Sequence, residues 1–211
     1  MSSKALFIVE GERREREVIS TMMQRWKALS GLDFDIFSVC CNIHQLYREL
    51  KNEDFLLDIT SVIREMKGVS AEDKQILKKG PFTYTYLVFD ADLQHYDLSI
   101  EGNLEKGLQE LEEMTEFFSD ETDGTVGKIM ISYPMIEAFR DCSTYFDEAY
   151  KSRMVDLADC INYKKLVGER GLKKNLSKFT SSDMNDLMMQ NLYKANEIVR
   201  RVWKNHCTVL S

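Results

Sequence analysis

Five consecutive apolar residues, Ala5-Leu-Phe-Ile-Val9, stop abruptly at Glu10-Gly11. A short continuous run of strand formers predicts a strand buried on both faces. The period then changes. Val18, Ile19, Met22, Met23, Trp26 and Leu29 fall on one helical face, which predicts an amphipathic helix closing near Gly31. Extended runs return at Phe34–Cys40, Tyr84–Phe89 and Gly127–Ser132. Leu104, Leu108, Leu111, Met114 and Phe118 recur at helical spacing before the last of these, and Pro134 leads from it toward another helix. Residues 42–80 are helical in pattern but too long for a plain crossover, so an inserted helical cap is expected there. From about Phe146 onward only helices are expected, the last long one carrying Met184, Leu187, Met188, Leu192, Ala195, Ile198, Val202 and Trp203. Strands alternating with helices predict an α/β fold, a mostly parallel sheet of about four strands flanked by helices. The expected division is a core over 1–145 and a helical extension over 146–211 packed on it. In such sheets functional groups gather at the strands' C-terminal ends.

Composition narrows the class. The 211 residues are 44% hydrophobic and 30% charged, enough for a full core without disulfide staples. No apolar run approaches the roughly 18 residues needed to span a bilayer, and five apolar residues are too few for a secretory h-region. The expectation is a cytoplasmic chain with no membrane partner. Of the five cysteines, Cys40 and Cys41 are adjacent and none forms a C-x-x-C pair, so all are read as reduced packing residues. His44 and His206 lack partners at ligand spacing, and His95 reads as a surface turn residue. Trp26 and Trp203 read as helix anchors, and Tyr84 and Tyr86 as half-buried strand residues. The net charge of −7 argues against indiscriminate polyanion binding. Yet ten Lys or Arg face four Asp or Glu from Ile161 to Ser211. Lys164, Lys165, Arg170, Lys173, Lys174 and Lys178 fall in one stretch opposed only by Glu169. That stretch is either a solvated helix face or a basic surface turned toward an anion.

The second reading gains weight if an acidic metal site lies nearby, and two strand tips carry acids. Glu10-Gly-Glu-Arg-Arg-Glu15 follows the first strand, and Asp90-Ala-Asp92 ends the third. Glu15 is explained by the helix macrodipole, which favours an acid in the first turn by about 0.3–1 kcal/mol. Glu10 has no such reason to be there. The two-residue period of extended chain points Asp90 and Asp92 the same way, and adjacent parallel strands would bring Glu10 beside them. Carboxylates so close repel unless a hard divalent cation neutralises them, which points to Mg2+ or Mn2+. A D-x-D alone also suits a metal-dependent sugar-nucleotide transferase, but that reading leaves Glu10-Gly11 without a role. A haloacid-type phosphatase would carry the motif on its first strand with Thr or Val two residues on, where Gln94 stands here.

Phe7-Ile-Val-Glu10-Gly together with Leu87-Val-Phe-Asp90-Ala-Asp92 resembles the TOPRIM domain of topoisomerases, bacterial primases and OLD-type nucleases. Ser132-Tyr-Pro134-Met-Ile-Glu137 adds a similarity to RloB-like and OLD-type TOPRIM proteins of bacterial defence loci, and the resemblance spans about residues 5–140. It implies a TOPRIM-like, Rossmann-like fold and a metal-dependent nucleic-acid phosphodiesterase in anti-phage defence. Glu10, Glu15 and Asp90 would hold one Mg2+ or Mn2+, and Asp92 and Glu137 would help hold a second. The D-x-D-x-x-G of the family has His95 in place of its glycine. A late lysine that steadies phosphate charge would be Lys164, Lys165, Lys173 or Lys174. The expected partners are nucleic acid, DNA or RNA, a second copy of the chain, and an ATPase encoded nearby, since the sequence has no phosphate-binding G-x-x-x-x-G-K-[ST] of its own. The alternative in the same family is a non-catalytic subunit of such an ATPase.

Overall fold

The computed structural model describes residues 4–26, 31–52, 58–66, 70–79, 81–97, 99–123 and 126–209, with side chains for all of these except 65, 79 and 202–209. The expectations for Leu29, Val202, Trp203, His206 and Cys207 therefore lie outside the described residues or side chains.

The chain is α/β. Strands β1 (Lys4–Val9), β2 (Asp33–Ser38), β3 (Tyr84–Asp90), β4 (Ser119–Asp120) and β5 (Gly127–Ser132) form one sheet in the order β2-β1-β3-β5-β4. All pairings are parallel except β4 with β5. The sheet thus has five strands rather than about four. The extra one, Ser119–Asp120, is two exposed residues long, too short to leave a periodic trace in the sequence.

Burial on both faces explains the apolar runs. Leu6, Ile8, Leu87, Phe89 and Ile129 point into one layer with Leu46 and Leu50 of α2 (Ile43–Asn52), Ile59, Val62 and Ile63 of α3 (Ile59–Glu65) and Met114 of α5 (Asn103–Phe117). The 42–80 segment also holds α4 (Ala71–Ile76), and its α2 and α3 lie directly on the sheet. Asp58 and Ser70 start α3 and α4 by accepting the N–H groups of Ser61 and Asp73, a standard way to satisfy free first-turn donors. On the opposite face, Val9 and Ile36 pack against Ile19 and Met23 of α1 (Arg14–Arg25). Beyond Ser132 come α6 (Glu148–Ser152), α7 (Leu157–Cys160), α8 (Tyr163–Arg170) and α9 (Ser181–Val209). Met184 and Leu187 of α9 join Val18, Ile136, Tyr150 and Phe179 in a second core.

Three boundaries differ from the sequence pattern. Helix α1 ends at Arg25, because Trp26 is already extended (φ −82°, ψ 110°). Trp26 nevertheless faces the sheet, lining an apolar groove with Phe7, Met22 and Tyr86. After Pro134 the chain makes a five-residue 3-10 turn, Ile136–Arg140, rather than a full helix. Strand β2 ends at Ser38, two residues early, with Cys40 at φ 55°. Cys40, Cys41, Cys142 and Cys160 are all free thiols. Among the described residues no helix is long and apolar enough to cross a membrane.

Candidate metal centre

The register of β1 on β3 pairs Val9 with Val88, so the next residues, Glu10 and Asp90, meet at the strands' C-terminal ends. The Asp90 N–H reaches Glu10 Oε2 at 3.4 Å. Asp90 closes β3 opposite Ser132 of β5, and its Oδ1 accepts the Ile136 N–H at 2.7 Å. The short turn after Pro134 therefore brings Glu137, buried on the same turn, to the acid cluster. Glu15 is buried in the first turn of α1. A Cβ on Gly11 would overlap its carboxylate, so Gly11 serves the close approach of Glu15 to the β1–α1 turn.

Asp92 differs from expectation. Its backbone is left-handed (φ 50°, ψ 25°), so the strand alternation ends at Asp90 and does not set the direction of the second aspartate. Asp92 Oδ1 instead accepts Gln94 Nε2 at 2.8 Å, and Oδ2 lies 3.4 Å from Nε2 of the exposed His95.

The five acids still share one electrostatic environment. Burial, then the charges of Asp92 and Asp90 and also Glu15, push Glu10 up to about 8. Burial and the charges of Glu137, Asp92 and Glu15 push Asp90 up to about 7, against the opposing bond from Ile136 N–H. Both shifts have the same two causes, burial and the repulsion of neighbouring acids.

The basic stretch is not where the acids are answered. Lys164 and Lys165 are exposed on α8, and among the described residues neither bonds to the carboxylates. Lys173 turns back to the Gly168 and Glu169 carbonyls, Lys174 pairs with Asp183 at 2.6 Å, and Arg170 grips Asp141 with two 2.7 Å bonds. The cations beside the cluster are two that the sequence pattern passed over. Arg14 Nε lies 3.8 Å from Glu137 Oε1. Burial first, then Arg14, lowers the Arg140 pKa, with Glu137 opposing. Arg14 was visible inside the Glu10–Glu15 motif, and Arg140 stands three residues after Glu137, but only the 3-10 turn makes them neighbours of the site.

The donors fit a hard divalent ion in kind: five carboxylates, all oxygen. Among the described residues, Glu137 Oε2 is buried with no hydrogen-bond partner, as is Arg140 Nε. The side chains do not stand ready to ligate, however. Among the described residues no three His, Cys, Asp or Glu side chains are grouped to hold a metal ion, and Glu10, Asp90 and Asp92 each hold a hydrogen bond instead. Each of these bonds uses one carboxylate oxygen and leaves the other with acceptor capacity. Cys41 is no competing ligand, since burial and then Glu10 push its thiol up to about 12. An open cavity of about 450 Å³, lined by Glu10, Glu12, Cys40, Asn42, Gln45 and His95 among others, leads solvent to Glu10. Comparison with protein-family models, curated proteins and solved structures found no match.

Proposed function

We propose that the protein is a metal-dependent nucleic-acid phosphodiesterase of TOPRIM type, acting in anti-phage defence beside an ATPase. The observation that carries this reading is the meeting of Glu10 and Asp90 across β1 and β3, both with carboxyl groups raised far above their ordinary range. A cation bound between two such raised carboxyl groups would displace their protons and relieve their mutual repulsion. Glu10, Glu15 and Asp90 would hold one Mg2+ or Mn2+, and Asp92 and Glu137 would help hold another. Metal ions held by these residues would provide the chemistry of phosphodiester hydrolysis, a hydroxide nucleophile and stabilisation of the leaving oxygen. Arg14 and Arg140 are placed to bind the phosphate oxygens beside Glu137. Their charges stand next to the acids, a role the resemblance alone gave to a late lysine. Lys164 and Lys165, exposed on α8, would meet the nucleic-acid backbone farther out.

The test is purified protein incubated with duplex DNA and total RNA in Mg2+, Mn2+ or chelator. Cleavage in the metal arms is expected, lost in chelator and in Glu10→Ala and Asp90→Ala. Cleavage that survives either substitution contradicts the reading. The lack of a ready three-donor group among the described residues favours a second reading, a TOPRIM-like subunit that binds an ATPase and cuts nothing. Calorimetric titration with Mn2+ separates the two, because only the nuclease needs to bind it.

A further inference from the structure

We infer that His44, held by Glu110 and Tyr96, is the positioning residue that sets the Asp90-Ala91-Asp92 turn for metal binding. The inference rests on the reading of the acid cluster as a metal centre. His44 lies in the first turn of α2 and is 3% exposed, and Glu110 on α5 is 6% exposed. His44 Nε2 is 3.1 Å from the Ala91 carbonyl oxygen. A carbonyl has no hydrogen to give, so Nε2 carries the proton and donates. On the other side of the ring, Nδ1 is 2.9 Å from Glu110 Oε2, which also accepts the Tyr96 hydroxyl at 2.5 Å. Two lone pairs would repel at 2.9 Å, so a proton lies between Nδ1 and Glu110. Tyr96 packs edge-on against the imidazole, ring centroids 4.8 Å apart at 86°. Both ring nitrogens are thereby engaged, and the ring is fixed in position.

What this grip holds is the peptide between the two aspartates. The Ala91 N–H donates to Ser132 O at 2.9 Å while the Ala91 carbonyl accepts from His44, so the residue is tied on both sides. The following residue, Asp92, is left-handed without being glycine, a conformation that costs on the order of 1–3 kcal/mol and persists only where neighbours impose it. His44 is the neighbour bonded to the peptide immediately before that strain. Stability alone does not account for the network, because replacing a whole buried ion pair by apolar residues of similar volume is often neutral or stabilising. A leucine at position 44 would fill the space between α2 and α5. It could not orient a carbonyl.

The experiment is a calorimetric Mn2+ titration of wild type, His44→Leu, His44→Gln, Glu110→Gln and Tyr96→Phe, with thermal unfolding of each in chelator. Outer partners of metal ligands contribute about 10–100-fold in affinity. His44→Leu is expected to weaken Mn2+ binding at least about tenfold and, because it leaves Glu110 buried without its partner, to lower the metal-free melting temperature as well. His44→Gln, which keeps an N–H donor at similar reach, is expected to recover most of that loss. Glu110→Gln, isosteric and folded even should His44→Leu misfold, is expected to weaken binding as well, and Tyr96→Phe to do so less. Wild-type affinity in both His44→Leu and Glu110→Gln, or in Glu110→Gln alone if His44→Leu does not fold, overturns the inference and leaves the metal centre intact. Failure of the wild type itself to bind Mn2+ overturns the metal centre and this inference with it.

Discussion

At Glu10 the two effects that raise a carboxyl pKa act together: burial disfavours the charge, and three neighbouring acids repel it. The consequence is a pH dependence of stability with a defined sign. Glu10 ordinarily titrates near 4.5 and Asp90 near 3.8, but in the folded chain they titrate at about 8 and about 7. Across the window from about 4 to about 8 the folded state therefore holds protons that the unfolded state has released, and stability falls as pH rises. Thermal unfolding in chelator is expected to give a lower melting temperature at pH 8 than at pH 5, and Glu10→Gln is expected to flatten the slope. A melting temperature that climbs over this range would contradict the assignment. Glu10 and Asp90 were legible in the sequence because an acid directly after an apolar strand has no packing reason to be there. The direction of Asp92 was not, since a left-handed turn breaks the alternation that extended chain would follow. His44 was invisible for a different reason: its partner Glu110 is 66 residues away, and no local spacing encodes that meeting.

Among the elements, long apolar runs were the readable ones. β1, β3 and β5 match their sequence pattern to within a residue because one face of each is buried in the core and the other is largely apolar, even where, as at Met130, it stays exposed. β4 leaves no trace in the sequence, and the 3-10 turn after Pro134 reads there as a helix, because two and five residues are too few to show a period. That turn nevertheless delivers Glu137 and Arg140 to the site, so the part of the centre hardest to read lies on the least regular element. The entry to β5 shows how tightly the sheet is built. Gly127 sits at φ 86°, and a Cβ there would lie 2.9 Å from the Thr85 backbone oxygen. Gly127→Ala is expected to destabilise the fold by about 1–3 kcal/mol. Urea unfolding checks this, and a variant as stable as wild type would mean that β5 does not pack against β3 as described.

Over the whole molecule, a net charge of −7 and an acid cluster are an unpromising surface for a polyanion. Three of the six cations in the basic stretch, Arg170, Lys173 and Lys174, are spent on partners within the chain, which is the solvated-face reading of that stretch. Lys164, Lys165 and Lys178 remain exposed. Local cations alone do not balance the acids, so the account depends on metal ions to make the site attractive to phosphate. Manganese anomalous scattering from a soaked crystal tests that dependence most directly. A peak is expected about 2.0–2.6 Å from carboxylate oxygens of Glu10 and Asp90, with the Asp90-Ala91-Asp92 turn still bonded to His44. A crystal whose only manganese peaks lie away from these two residues, or that has none, would contradict it.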